Sequence, residues 1–346
     1  MSRTRTPGRT VLTLKLEPLL GSRFQPTGFP NLGAATFERP GRDGWTNALI
    51  LESVQSMANH LEATTWDTGR DEQVEALTGV PYLRILDEAG EFLTSSRLEG
   101  HRLNSSYIMD GFLDGELGRQ WLCNRFGLVV GKPLNTRAVA AAVAELDPVS
   151  LVHGAYFPQG DWPWQPKIAR ALTCFIEAHD IREAVSGGVK RDSVINSHDD
   201  KEKDTEKEKA SKSGYGSVPY PRIEYTAADI VCYVSVDHAQ IRSYGLSEEG
   251  TELVSALVDF ELAAAFIDDL RLRTACDLRL VDVSGGELPD LDTATARVGA
   301  AIAAVGPGTV RNLVWKERPK AAPKKSRKNT SEDSSSDTAI DTSSDD

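Results

Sequence analysis

The sequence predicts an α+β fold, and three observations carry that expectation. Stretches that alternate apolar and polar side chains, the period of a strand, are interleaved with stretches of helical period. The two kinds do not follow one another in the regular strand–helix–strand repeats of a doubly wound sheet. Polar, glycine-bearing loops separate them.

Taken in order, "TVLTLKLEPLL" sets Leu12, Leu14 and Leu16 on one side and Thr13 and Lys15 on the other, a half-buried strand. The loop "LLGSRFQPTGFPNLG" follows it, holding Arg23, Phe24, Gln25 and Thr27 between glycines and prolines. "ALILESVQSMANHLEATTW" reads as a helix with an apolar stripe of Leu51, Val54, Ala58 and Leu61. From 81 to 135 the signal is irregular and reads as an insertion with small strands and a mobile loop around "SSRLEGHRLNSSY". "TRAVAAAVAELDP" is a helix with a proline stop, and "VSLVHGAYF" reads as a strand. "WQPKIARALTCFIEAHDI" reads as a helix with Ile168, Leu172, Phe175 and Ile176 inward. "SGGVK" at 186–190 reads as a turn.

Residues 199–214 alternate in charge and carry no large apolar side chain, so a disordered loop is expected there. "AADIVCYVSVDHAQI" is a strand with the character of a central one. "EGTELVSALVDFELAAAFIDDL" carries the strongest helical pattern, with Leu253, Leu257, Phe260, Ala264 and Ile267 in register. "ACDLRLVDV" is a further strand and "DTATARVGAAIAAVG" a last helix. The resulting organisation is a flexible basic segment over 1–10, one domain over 11–318 and a disordered low-complexity tail over 319–346.

A chain of 346 residues with 40% hydrophobic side chains can bury a sizeable core. No run of about 18 apolar residues exists to span a membrane. "MSRTRTPGRT" lacks the apolar segment of a signal peptide. Cys123, Cys174, Cys232 and Cys276 are scattered, which suits reduced thiols in a cytoplasm better than a zinc site or a disulfide framework. The formal net charge is −12, but it is unevenly spread. The stretch 331–346 holds six acids and no base, whereas residues 1–42 hold seven bases against two acids. Local patches, not totals, make an electrostatic footprint.

The usual catalytic signatures are missing. "GLVVGKP" has one residue too few between its glycines for a phosphate loop, and Pro133 stands where a hydroxyl would hold magnesium. There is no GxGxxG and no GxSxG. His153 reads as a satisfied strand residue rather than a catalyst. Asp268 and Asp269 are adjacent, about 100° apart on a helix, a poor metal clamp. No catalytic set stands out, and no metal or cofactor is expected. What remains is a set of loops that pair cations with short polar donors and glycine: "GSRFQPTG", "SSRLEGHRLNSS", "SGGVKRD" and "RLRTACDL", with Lys167 and Arg170 between them. Such loops suit a phosphodiester backbone. Phe24 and Phe29 would offer a stacking face to a base. The bland alternative is a soluble domain with polar loops.

The order of "LGSRFQPTGFPNLG", "LESVQSMANHLE", "VPYLRI", "SSRLEGHRLNS", "ARALTCFIEA", "SGGVKRD", "YTAADIVCYVSVDHAQIRSYGL" and "RLRTACDL" resembles the RAMP-superfamily backbone subunit of type I-G (formerly I-U) CRISPR effectors, over about Val11 to Val283. The resemblance implies a modified RRM-like (ferredoxin-like) core enlarged by a thumb or web. It implies a non-catalytic cytoplasmic subunit that polymerises along crRNA and presents bases to target DNA in an R-loop. The implied partners are other copies of itself, a large PAM-reading subunit, a fused crRNA-processing subunit and a recruited helicase-nuclease.

On that reading Ser22, Arg23, Phe24, Gln25, Thr27 and Gly28 would cradle guide phosphates beside the first strand. Arg97, His101, Arg102 and Asn104 would sit on the thumb or web, and Lys167 and Arg170 would line the groove. Lys190 and Arg191 would add charge, and Arg271 and Arg273 would either do so or be salt-bridged within the protein. Two features depart from the family pattern: His60 stands at a position that is often a fixed cation, and the insert at 199–214 is unusually long and charged. Two other classes stay open. One is a backbone subunit that cleaves target RNA through Asp110 or Asp114. The other is a scaffold that binds no RNA.

Overall fold

The structure is a computed structural model that describes residues 8–29, 33–190 and 218–316. Residues 1–7, the charged loop 199–214 and the tail 319–346 lie outside the described residues. Alternation builds the first element. In β1 (Thr10–Pro18), Leu12, Leu14 and Leu16 are 2, 0 and 1% exposed, while Thr13 and Lys15 face away from the core. A hairpin of β2 (Thr36–Gly41) and β3 (Gly44–Glu52) follows. Ser53 then caps α1 (Val54–Ala63), its hydroxyl accepting from the Ser56 N–H at 3.2 Å. The single helix expected over this stretch is thus a strand and then a helix. Ala48, Leu49 and Leu51 are buried in the sheet, and the helical stripe of Met57, Ala58 and Leu61 starts only after the cap.

The next region makes a second sheet. Strands β4 (Leu83–Leu86) and β5 (Phe92–Ser95) lead to α2 (Ser106–Asp110), a two-residue bridge pair at Phe112–Leu113 and Glu116–Leu117, and α3 (Gly118–Arg125). Then come α4 (Thr136–Leu146) and α5 (Val149–His153). The strand expected at 149–157 is mostly this helix. All five of its residues are buried, so no face carries a period, and Gly154 at φ +81° ends it.

The chain returns to the first sheet with β6 (Leu172–His179). The helix expected here is a strand. Leu172, Cys174, Ile176 and Ala178 are buried, and Phe175 lies on the opposite face instead of pointing inward. Leu172 and Ile176 are spaced for either element, and the open slot between two neighbouring strands decides. A two-stranded ribbon, β7 (Arg182–Lys190) and β8 (Val218–Thr226), follows. Gly187 and Gly188, read as a turn, are inside β7 and pair with Pro221 and Tyr220. The expected central strand is β9 (Asp229–Val236). After α6 (His238–Ser243) comes α7 (Glu248–Phe266), capped by Ser247 and buried along most of its length, although Ile267 just beyond it is exposed. Strands β10 (Leu270–Arg273) and β11 (Cys276–Ser284), helix α8 (Leu291–Val305) and β12 (Arg311–Val314) complete the described chain.

The seven-stranded sheet has the order β10-β11-β1-β9-β6-β3-β2, with every neighbouring pair antiparallel. Its heart, β1-α1-β6-β9-α7-β11, is a β-α-β-β-α-β unit with its strands ordered fourth, first, third, second: the ferredoxin-like arrangement. The fold class is α+β. The second sheet places β12 parallel to β4, with β5 at one edge and, beyond Phe112–Leu113, the Glu116–Leu117 strand at the other. The region 81–135 does carry the small strands expected. Its segment around "SSRLEGHRLNSS" is packed, however, with Leu103, Ile108 and Met109 in the core.

Arg97 shows why. Its side chain is fully buried, and its Nε donates to Asp147 Oδ1 at 2.8 Å. Asp147 also accepts from Ser96 Oγ at 2.6 Å and from the Val149 N–H at 3.2 Å, while Arg97 Nη2 reaches the Pro81 carbonyl at 3.3 Å. This network bolts the end of β5 to the α4–α5 junction. It removes Arg97 from the expected RNA-binding set, because a guanidinium enclosed by protein cannot meet a phosphate. Breaking one member of a buried pair strands the other charge. Arg97→Ala is expected to cost about 3–5 kcal/mol in urea unfolding. A loss under about 1 kcal/mol, the range of a surface pair, would contradict this role.

Candidate nucleic-acid interface

Five of the residues singled out from the sequence meet around one cavity. His101, Arg102 and Asn104 come from one segment and Lys167 and Arg170 from another, and they line a cleft of about 530 Å³. Lys167 is in a two-residue strand, Lys167–Ile168, that pairs with Ala155–Tyr156. Lys167 and Arg170 are therefore on an extended segment and not one helical turn apart. Gly154 makes this approach feasible: a Cβ there would sit 2.9 Å from both the Ile168 carbonyl oxygen and the Arg170 nitrogen.

The cations differ in what they can do. Arg102 is buried and forked onto Glu62, with Nε to Oε1 at 2.5 Å and Nη2 to Oε2 at 2.6 Å. Its Nη1 donates to the Gly154 carbonyl at 3.2 Å. Its backbone lies at φ +51°, a conformation that a non-glycine residue keeps only when its surroundings demand it. Burial pushes the Glu62 carboxyl above its ordinary range, and His153 and Arg102 offset only part of that rise. His153 is paired through Nε2 with Glu261 at 2.8 Å, both side chains fully buried. It is a core histidine, as expected, but at a helix end instead of in a strand and satisfied only at Nε2, since Nδ1 is buried without a hydrogen-bond partner.

Lys167 and His101 are exposed, and Arg170 is half-buried with one weak tie, to the Val54 carbonyl at 3.4 Å. Burial lowers the pKa of Arg170, and the neighbouring charge of Arg102 lowers it further. Asn104 Oδ1 accepts from Gln159 at 2.8 Å. The free positive charge of the cleft thus comes from Lys167 and Arg170. Tyr156, 49% exposed and paired with Lys167, adds an aromatic face at the rim, and Gln55 adds an amide. Nothing in the sequence marked these two, because the pairing that brings them together joins separate segments.

The opening loop is elsewhere and is differently employed. Phe24 is buried and exchanges both backbone hydrogen bonds with Tyr225 at 2.9 Å, so it offers no stacking face. The N–H groups of Gln25 and Thr27 donate to the carbonyls of Ala275 and Leu51, both at 2.9 Å. Gln25 Oε1 accepts from Arg222 at 2.6 Å. Gly28 pairs with Ala34, where a Cβ would meet the Gly33 carbonyl oxygen at 3.0 Å. These donors are occupied by the protein and cannot cradle a phosphate. Ser22 and Arg23 remain exposed, but their recess of about 330 Å³ also contains Glu224 and Asp277, and Arg23 lies 3.2 Å from Glu224.

Arg273 is held by buried Glu52 and donates to the Gln25 carbonyl at 3.1 Å, and Arg271 lies 3.8 Å from Asp277 with its side chain 80% exposed. Both follow the salt-bridged alternative. Lys190 ends β7, with its side chain outside what the structure describes, and Arg191 lies outside the described residues. Asp110 is bonded to Arg119 at 2.7 Å, and Asp114 occupies a tight turn at φ +51°. No group of three or more potential metal ligands occurs among the described residues, and none of their helices is long and apolar enough to cross a membrane.

His60 supplies a titration with a definite sign. Its ring is 3.9 Å from Glu52, a carboxylate already engaged by Arg273, and burial holds its pKa below 6.5. A depressed pKa stabilises the fold above the unfolded value, and that stability is lost as pH falls through the folded value. Between about pH 7 and 5, His60→Gln is expected to lose less unfolding free energy than the native chain. Identical pH slopes would contradict it.

No curated protein matches the chain. Among solved structures it is similar to the crystal structure of Thermofilum pendens Csc2, at 9% identity over 86% of this chain and 74% of that one, with a TM-score of 0.30. It is also similar to a chain of a CRISPR RNA-guided surveillance complex, pre-nicking, at 10% identity over 78% of this chain and 75% of that one, with a TM-score of 0.34. These are distant likenesses and carry no functional weight. The match to a family model is of another order: residues 10–183, just over half of the chain, fit the family described as CRISPR-associated protein GSU0053, and the chain belongs to that family.

Proposed function

We propose that this protein is a non-catalytic backbone subunit of a type I-G CRISPR effector, which polymerises along crRNA and holds the guide by its phosphates. The cleft around Lys167 and Arg170 carries this reading. It joins two cations that form no salt bridge among the described residues to short polar side chains and an exposed tyrosine. A guide whose sequence changes with every spacer has to be held by its backbone, and the cations of such a cleft suit phosphates whatever the base. Membership of a CRISPR-associated family supports the same reading.

The burial of Arg97 and Arg102 moves the expected thumb away from 97–104. The protruding candidate is the β7–β8 ribbon, which pairs with the body through Phe24 and Tyr225. The partners proposed are further copies of the chain, a large PAM-reading subunit, a fused processing subunit and a helicase-nuclease, with target DNA engaged by R-loop.

The test is size-exclusion chromatography with absorbance at 260 and 280 nm, on protein made alone and then with a repeat–spacer transcript and the other effector subunits. A large species rich in nucleic acid is expected only with the transcript. A nucleic-acid-free monomer in the presence of every subunit would overturn the proposal. Lys167→Ala and Arg170→Ala are expected to weaken guide binding alike for unrelated spacers. They are also expected to flatten the log–log salt dependence by about 0.7 per phosphate contact removed. Spacer-dependent losses would argue against backbone recognition.

A further inference from the structure

The second sheet buries one face in the core and leaves the other outside it. Leu83, Ile85, Leu113 and Leu313 point inward. On the outer face Phe92, Leu86, Val314, Phe112 and Leu117 are paired one to the next across all five strands, so they form a single apolar row. Each is half-buried and none belongs to the core. Charges flank this row in a set order. Arg84 is two residues before Leu86 in the chain, and Glu88 is two residues after it. Asn312 and Lys316 flank Val314 in the same way. Arg84 lies over the Phe92 ring at 5.2 Å, its Nε is buried without a hydrogen-bond partner, and it forms no salt bridge among the described residues. On the other side of the row, exposed Glu88 lies 3.6 Å from Lys316, which sits over the Phe112 ring at 5.7 Å.

We propose that this face packs against the same face of a second copy of the chain, as a closed dimer whose twofold axis runs along the apolar row. A half-turn about that line returns each row residue to its own counterpart and exchanges the two sides of the row. Phe92, Leu86, Val314 and Phe112 then meet themselves across the interface. Arg84 of either copy comes opposite Glu88 of the other, and Asn312 comes opposite Lys316. A face with like charges on both sides of the row would repel itself in this arrangement. The order base, apolar, acid along one stretch is what self-pairing requires, and it is why the occupant is a second copy. An apolar sheet face needs a second layer, and two sheets supply one for each other at a spacing of about 10 Å. The contact is isologous and stops at two copies, so it differs from the head-to-tail contact of a filament along a guide. It does not rest on the function proposed above.

The experiment is sedimentation velocity on the full chain, freed of nucleic acid by nuclease and high salt, over about 1 to 100 µM. Dimers are expected in the upper part of that range, with no larger species. Val314→Glu puts a charge at the centre of the row and is expected to weaken the dimer at least about tenfold, with thermal unfolding checking the fold. The flanking charges provide an independent arm should that variant fail to fold. Arg84→Glu and Glu88→Arg are each expected to weaken the dimer about threefold, and the double variant Arg84→Glu/Glu88→Arg is expected to restore it. The four native cysteines are buried, so a short bismaleimide should link Val314→Cys to itself and leave Leu93→Cys, exposed on β5, unlinked. Monomers throughout the range would overturn the proposal. So would a dimer that ignores both the row and the charge variants, and so would a double charge variant as weak as the single ones. Protection of the row in hydrogen exchange only when other effector subunits are added would assign the face to one of them instead.

Discussion

A buried ionic cluster holds the cleft in place. Glu62 on α1, Arg102 on the inserted segment, His153 at the end of α5 and Glu261 on α7 are all enclosed by protein. Charges removed from water are tolerated only where they are paired and hydrogen-bonded, and here each carboxylate has a basic partner. The pairing is also directional. A guanidinium forked onto a carboxylate fixes the angle between the elements that carry them. Four parts of the chain, from residue 62 to residue 261, must therefore arrive together. The wall of the cleft, Gly154 and the backbone of Arg102 included, is set by that arrangement.

This division of labour explains why so few of the arginines are available for a ligand. Arg97, Arg102 and Arg273 each hold a carboxylate at a junction between elements, and their charge is consumed there. Lys167 is on a short strand and Arg170 lies two residues beyond it, in a segment ordered by backbone pairing and by Gly154, so their side chains need not do structural work. A lysine or arginine becomes a site for anions when something else orders its backbone. The opening loop is the converse case. Its Gly, Pro and polar composition suits a phosphate cradle, but its donors join β3, β8 and the β10–β11 turn.

The ferredoxin-like order has a consequence for surfaces. Both crossover helices pack on one side of the sheet, which leaves the other side to whatever the alternate positions carry. On β6 and β9 those positions include an adjacent phenylalanine and tyrosine together with Thr173, Glu177 and Ser235. The cleft and the open face thus lie on parts of the molecule with different origins. One is assembled from insertions and the other is inherent in the sheet.

Where a segment buries one face, the amino-acid sequence by itself determined its element. β1, β9, α4 and α8 were legible because alternation or a helical stripe survives one-sided burial. A segment buried on all sides, such as α5, loses that contrast; β6 was misread because Phe175 on its outward face masks the alternation and Leu172 and Ile176 fit either period, and β3 was taken as the start of α1 because its buried Ala48, Leu49 and Leu51 run into the helical stripe. For the site, the residue types were legible: the stretches around 101–104 and 167–170 stood out as cations among short polar residues. Which of those cations are free was decided only by tertiary structure. A guanidinium's availability depends on whether a carboxylate distant in sequence, such as Asp147, Glu62 or Glu52, is folded against it, and no local pattern encodes that distance.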